Sequence, residues 1–240
     1  MAAYRFVPLH DLSALRQSYF DSAWAAGIKG TVLLAEEGIN LVLAGPEQAL
    51  RRWWARLLQD PRFTALQAKE SFSAGLPFVH LRVKIKAEII RMNQPTISPA
   101  AGRAPSVSAA TLARWLSQGF CDAGRPLAVL DTRNGFEVDA GAFAGCIDWR
   151  LNKFSDFPAA LAAHQNELLG KTVVSYCTGG IRCEKAALWM AQAGVADVFQ
   201  LDGGVLKYFE QTQSAPHFAG ACFVFDQRGN LNTELAPISA

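Results

Sequence analysis

The residues of this sequence with the clearest chemical potential are Cys177 and the short loop that follows it. Cys177 comes directly after Thr172–Tyr176, an apolar run that predicts a buried strand, and a helix is predicted to begin about six residues later. Gly179 and Gly180 allow successive backbone N–H groups to curl around the sulfur as an anion-binding nest. The helix N-terminus and the charge of Arg182 add positive potential. Together these features favour a thiolate and predict a pKa for Cys177 below the ordinary value of about 8.5.

The length of this loop separates two kinds of cysteine chemistry. The pattern is Cys-x4-Arg, one residue shorter than the Cys-x5-Arg loop that fits a tetrahedral phosphate in cysteine phosphatases. The tighter ring favours a sulfur atom carried on sulfur, a persulfide, over a phosphate group. The residue after the arginine is a second cysteine, either a resolving thiol or a small core residue. The predicted active-site loop is Cys177, Thr178, Gly179, Gly180, Ile181, Arg182 and Cys183.

A first set of elements is predicted within residues 1–95. The pattern indicates a strand at Tyr4–Leu9, a helix with Asp11 as its N-cap, a hairpin, a helix at Glu47–Leu58, a strand near Phe63 and a final alternating strand. The order βαββαβ is that of a ferredoxin-like α+β domain.

A second set of elements follows a change in composition. Residues 96–105 are rich in Pro, Ser, Ala and Gly, which is typical of a linker. Residues 106–219 alternate between strands and helices, among them helices predicted at Phe157–Leu169 and Cys183–Ala193. This alternation predicts an α/β domain with a parallel sheet, in which sites lie at the carboxyl ends of the strands. Residues 220–240 are expected to form a strand-like tail.

The charge of the chain is distributed unevenly. The net charge is +2, but residues 1–110 carry +5 and residues 111–240 carry −3. Arg82, Lys84 and Lys86 share one face of the alternating strand in the basic half. Such a face is either simply solvated or a footprint for a phosphate backbone, whose contacts position a nucleic acid without reading its sequence.

Cysteine and histidine usage limits the other classes of protein. The chain has five cysteines, an odd number, and no Cys-x-x-Cys pair, which argues against a disulfide framework and a structural zinc site. The four histidines show no metal-binding spacing, so no metal is predicted. No stretch approaches about 18 consecutive apolar residues, and the N-terminus lacks the layout of a secretory signal. We therefore expect a cytoplasmic protein without a membrane span.

Three groups of residues resemble the rhodanese family. The loop from Cys177 to Cys183 resembles the family's active-site loop. The segment Asp131-Thr-Arg133, with Glu137 four residues on, resembles the Asp-x-Arg motif and the acidic residue at the start of those domains. The segment after Gly141 resembles the Gly-His-Ile-x-Gly-Ala stretch, without its histidine.

A narrower resemblance is to the oxygen-dependent tRNA uridine-34 hydroxylases. It is carried by Tyr176–Lys185, Leu201–Val205, Cys222–Arg228 and Glu36–Asn40, and it extends over nearly the whole chain. Relatives commonly continue past Arg228 into a cysteine-bearing tail, which this sequence does not contain.

The resemblance implies a function and a set of roles. The reaction would be hydroxylation of C5 of the wobble uridine to 5-hydroxyuridine, with molecular oxygen as co-substrate. Cys177 would be the catalytic cysteine, as a thiolate or a persulfide filled by a sulfur donor, and Arg182 the loop arginine. Asp131, Arg133 and Glu137 would support the loop. The anticodon loop of tRNA would be the macromolecular partner, docked by the ferredoxin-like domain. No cofactor is identifiable, and no motif indicates the electron donor.

Two other functions fit parts of the sequence. A sulfurtransferase that moves sulfur from thiosulfate or a persulfide to a thiol would use the same cysteine loop without RNA. A non-catalytic RNA-binding or redox-sensing module would bind tRNA without needing Cys177.

Overall fold

The computed structural model describes residues 1–73, 75–212 and 214–238. They form two compact units, residues 1–91 and 92–240, so the segment 92–105 belongs to the second unit. Each unit has an apolar core of its own. No helix within the described residues is both long enough and apolar enough to cross a membrane.

The first unit has the predicted ferredoxin-like order of elements. They are β1 (Ala2–Phe6), α1 (Leu12–Ala25), β2 (Lys29–Ala35), β3 (Gly38–Ala44), α2 (Glu47–Leu57) and β4 (Leu81–Ile85). The sheet order is β1-β3-β2-β4, antiparallel except for the parallel pair β2 and β4. The apolar side of α2 packs through Trp53 against Tyr19 of α1, with ring centroids 5.6 Å apart. The core of this unit therefore lies between the sheet and the two helices.

Two local predictions for this unit were wrong. The strand near Phe63 is a 3-10 turn, Pro61–Phe63, because Asp60 accepts a hydrogen bond from the Arg62 N–H and Pro61 fits the first turn of a helix. The chain instead reaches the sheet at Lys69, which forms a single antiparallel bridge to β1. Asp11 makes no side-chain cap on α1, since its carboxylate binds the guanidinium of Arg62 at 2.6 Å.

The second unit is the predicted α/β domain. Its helices are α3 (Ala109–Gln118), α4 (Gly135–Ala140), α5 (Phe157–His164), α6 (Ile181–Gln192) and α7 (Gly204–Gln211). Its strands are β5 (Ser106–Val107), β6 (Leu127–Asp131), β7 (Gly141–Phe143), β8 (Ile147–Asp148), β9 (Thr172–Tyr176), β10 (Val198–Leu201), β11 (Phe218–Gly220), β12 (Cys222–Phe223) and β13 (Asn230–Leu231). A parallel sheet of order β5-β10-β9-β6-β8 forms its centre. Every residue of β9 is buried, which explains its apolar sequence.

Strand register brings the two sequence motifs together. Asp131 at the end of β6 is the register partner of Tyr176 at the end of β9. Because parallel strands end at the same edge of a sheet, the segment after Asp131 and the loop after Tyr176 lie side by side.

Two predicted helix boundaries in this unit were wrong. The helix after the cysteine loop begins at Ile181 rather than Cys183, since Gly180 takes a left-handed conformation (φ 100°) that turns the chain directly into α6. The helix predicted over Phe157–Leu169 is α-helical only to His164 and continues as a 3-10 turn, Gln165–Leu168.

Candidate active site

The loop after β9 wraps around the sulfur of Cys177. Gly180 donates its backbone N–H to Sγ at 3.1 Å, and the backbone N–H groups of Arg182 and Cys183, in the first turn of α6, also donate to it. The early start of α6 thus directs its N-terminal donors at the sulfur. Cys177 is fully buried, whereas Thr178 and Gly179 are partly exposed.

The surroundings of Cys177 stabilise a thiolate. Burial alone would raise its pKa, but the hydrogen bond from the Cys183 thiol, the charge of Arg182 and the backbone N–H groups outweigh burial. The pKa of Cys177 therefore lies well below its ordinary value. Burial and the hydrogen bond to Cys177 raise the pKa of Cys183 well above the usual range, so Cys183 remains the donor. Cys183 also lies 3.8 Å from the Thr132 hydroxyl.

A buried ion pair fixes one side of the loop. Arg182 donates from both terminal nitrogens to Glu137, at 2.6 and 2.8 Å, and the two side chains are 8% and 0% exposed. Thr178 adds a hydrogen bond to the same carboxylate at 3.2 Å. Burial would raise the pKa of Glu137, but the Arg182 hydrogen bonds lower it below its usual range. Arg182 therefore acts on Cys177 through its charge while its donors hold α4 to the loop.

A second buried pair supports the neighbouring strand end. Arg133 binds both carboxylate oxygens of Asp131, with the closest contact 2.6 Å, and neither side chain is exposed. Arg133 also donates to the carbonyl of Gly141 at 2.6 Å and lies 5.3 Å from the ring centroid of Tyr176. These contacts connect β6, β7 and β9.

The first turn of α7 forms hydrogen bonds to the backbone of the cysteine loop. The N–H groups of Val205 and Leu206 donate to the carbonyls of Cys177 and Thr178, at 2.9 and 3.1 Å. A Cβ on Gly204 would lie 2.3 Å from the Cys177 carbonyl oxygen, so only glycine allows this approach. This close packing explains the Leu201–Val205 motif.

Cys222 is a neighbour of the site that sequence reasoning missed. Its segment, Cys222–Arg228, was noted only as part of the family resemblance, yet Cys222 lies near Thr178, Arg133 and Glu137. Burial raises the pKa of Cys222 to about 12, so it is a neutral thiol beside the loop. Cys121 is buried and accepts a hydrogen bond from Thr172 at 3.1 Å.

The predicted basic face belongs to the first unit. Arg82 and Lys84 are exposed on β4 and alternate with the buried Leu81 and Val83, and Lys86 is exposed just after the strand. The three cations form a face of that unit and are not part of the cysteine loop. Within the described residues, no cluster of three or more His, Cys, Asp or Glu side chains could hold a metal ion.

A thiolate held in a Cys-x4-Arg loop, between a parallel strand and a helix, defines a rhodanese-like domain. Residues 109–211 match the rhodanese-like domain family, and residues 1–89 match the UPF0176 acylphosphatase like domain. The chain is 59% identical to a tRNA uridine(34) hydroxylase of Bordetella petrii, over 100% of this chain and 95% of the relative. It is 58% identical to a tRNA uridine(34) hydroxylase of Delftia acidovorans, over 98% of this chain and 89% of the relative. The chain belongs to the tRNA uridine(34) hydroxylase family.

Proposed function

We propose that this protein hydroxylates C5 of the wobble uridine of tRNA in the cytoplasm, with molecular oxygen as oxidant and Cys177 as the reacting residue. The observation that carries the proposal is the thiolate-stabilising loop around Cys177 in a chain of this family. A pyrimidine ring accepts a nucleophile at C6, and a stabilised thiolate is such a nucleophile.

Burial favours a persulfide as the working form of Cys177. The Cys177 sulfur has no exposed surface, so a uridine ring cannot reach it inside the closed loop. A sulfur donor that loads one sulfur atom would place the reactive atom about 2 Å further out, the length of an S–S bond. Thr178 and Gly179, the next two residues of the loop, are partly exposed, so the loop has some surface on which a base could approach that atom.

The proposed reaction consumes molecular oxygen and two thiols and gives 5-hydroxyuridine, water and a disulfide. The outer sulfur bonds to C6, and the electron pair displaced from the C5–C6 double bond makes C5 nucleophilic. C5 bonds to molecular oxygen, and the peroxide anion takes a proton from solvent to become a hydroperoxide. Two electrons from external thiols, oxidised to a disulfide, cleave the O–O bond to leave the C5 hydroxyl and water. Loss of the C5 proton then expels the sulfur as its anion and restores the double bond. The loop donors stabilise that leaving anion.

The first unit would dock the substrate. Arg82, Lys84 and Lys86 present three cations on one side of a strand, a suitable footprint for the phosphates of a tRNA anticodon arm. Such contacts contribute affinity and orientation, whereas the choice of base is left to the site around Cys177.

Nucleoside mass spectrometry in a host without its own wobble hydroxylases tests the proposal. The host expresses the intact chain, Cys177→Ala, or Cys121→Ala as a matched control for loss of a buried thiol. We expect 5-hydroxyuridine with the intact chain and Cys121→Ala and none with Cys177→Ala. If no chain produces it while the purified protein transfers sulfur from thiosulfate to a thiol, the protein is a sulfurtransferase. If Cys177→Ala retains the product, the role of Cys177 is wrong.

A further inference from the structure

Three phenylalanines form an exposed aromatic patch on the second unit. The patch consists of Phe136, Phe223 and Phe225, whose ring centroids lie 5.1 to 6.2 Å apart in edge-to-face arrangements. Phe225 is 64% exposed and Phe136 is 49% exposed. Large apolar side chains grouped at the surface mark binding sites more often than single ones do.

The patch is held rigidly by two different elements. Phe136 lies in the first turn of α4, and Phe225 lies in the hairpin that joins β12 to β13. The hairpin turn is closed by the N–H of Val224 on the carbonyl of Gly229, at 2.7 Å. A partly buried pair, Arg228 on Asp226 at 2.6 Å, lies within it. The exposure of Phe225 is therefore a fixed feature of the turn.

Both elements of the patch are joined to the active-site loop. Phe136 precedes Glu137, whose carboxylate binds Arg182 and Thr178. Phe223 follows Cys222, whose thiol lies near Thr178. The elements that carry the patch therefore also supply neighbours of the active-site loop.

We propose that the aromatic patch stacks the bases that flank the wobble uridine in the anticodon loop, a role that rests on the proposed function. An enzyme that reacts at C6 of a base must remove that base from its stack, and the neighbouring bases then lose their stacking partner. Aromatic side chains replace such lost stacking, and they do so for any base because every base has a π-face. Exposed aromatic rings suit flat bases at a site whose substrate is a nucleotide.

Binding of an isolated anticodon stem-loop tests this proposal. The RNA carries a fluorescent label in its stem, and its dissociation constant is measured by anisotropy for the intact protein and for variants. Phe225→Ala removes the most exposed ring, and Phe225→Tyr restores an aromatic face. Phe120→Ala is the matched control, since Phe120 is 46% exposed elsewhere on the unit. A second RNA replaces the two flanking bases by abasic nucleotides.

We expect Phe225→Ala to weaken binding at least about 5-fold, the lower end for stacking one base on an aromatic ring. Phe225→Tyr and Phe120→Ala should bind like the intact protein. The intact protein should bind the abasic RNA more weakly than the complete RNA. Phe225→Ala should bind the two RNAs equally well. The proposed role of the patch is wrong if Phe225→Ala and Phe120→Ala bind the stem-loop equally well. It is also wrong if the intact protein does not bind the stem-loop. Loss of affinity in Phe225→Ala together with no 5-hydroxyuridine from the intact chain would leave the patch standing and refute the proposed function.

Discussion

Removing one partner of the Arg182–Glu137 pair should destabilise the second unit strongly. Glu137→Leu leaves the Arg182 guanidinium, only 8% exposed, without its carboxylate, and Arg182→Met leaves Glu137 buried and unpaired. Breaking a buried pair in this way costs about 3–5 kcal/mol of unfolding free energy, against about 0–1 kcal/mol for an exposed pair. The double variant removes both charges, so its cost should be well below the sum of the single costs.

Urea unfolding of the second unit measures these costs. Cys121 is buried in that unit, and its alkylation, followed by mass spectrometry, reports unfolding there without interference from residues 1–91. The double variant should be more stable than either single variant. Its Cys177 should still react more slowly than in the intact protein, because the charge of Arg182 is gone. Single costs under about 1 kcal/mol, or costs that simply add, would refute the reasoning that this pair is a buried, coupled support of the loop.

Three further predictions concern the loop and the docking face. Because the pKa of Cys177 is lowered, its alkylation rate should stay constant as the pH falls below about 8.5. In Cys183→Ala, the alkylation rate of Cys177 should begin to decline at a higher pH than in the intact protein. Gly204→Ala should abolish hydroxylation, whereas Gly170→Ala, with a similar φ (71° against 68°) but open space, should cost only about 1–2 kcal/mol of stability and keep full activity. Lys84→Glu should weaken tRNA binding and lower the slope of log affinity against log salt concentration by about 1, the value for one phosphate contact. Titration at several salt concentrations measures this slope, and an unchanged slope would exclude this face.

The cysteine loop could be predicted from the sequence because its signals are local. A fully apolar strand, two glycines and an arginine within a few residues indicate a buried β9 followed by an anion-stabilising turn, and the structure has both. The predicted boundaries at Cys183 failed because Gly180 turns the chain earlier than helix propensity alone indicates.

Features that depend on distant residues could not be predicted. Asp11 has the sequence of an N-cap but binds Arg62, 51 positions away. Asp131 and Glu137 were both expected to support the loop, and the packing of α4 against the loop determines that Glu137 is the partner of Arg182. The exposure of Phe136 and Phe225 has no local signature, since most large aromatics in a sequence are buried.

Isotope labelling of the product tests whether the hydroxyl oxygen comes from molecular oxygen and whether the reaction needs Cys177. A host without its own wobble hydroxylases, expressing this chain, is grown under 18O2, and its tRNA is digested to nucleosides for mass spectrometry. The account predicts one 18O atom in the 5-hydroxyuridine at the wobble position and no such nucleoside with Cys177→Ser. An unlabelled hydroxyl, with oxygen taken from water, or labelled product from Cys177→Ser would contradict it.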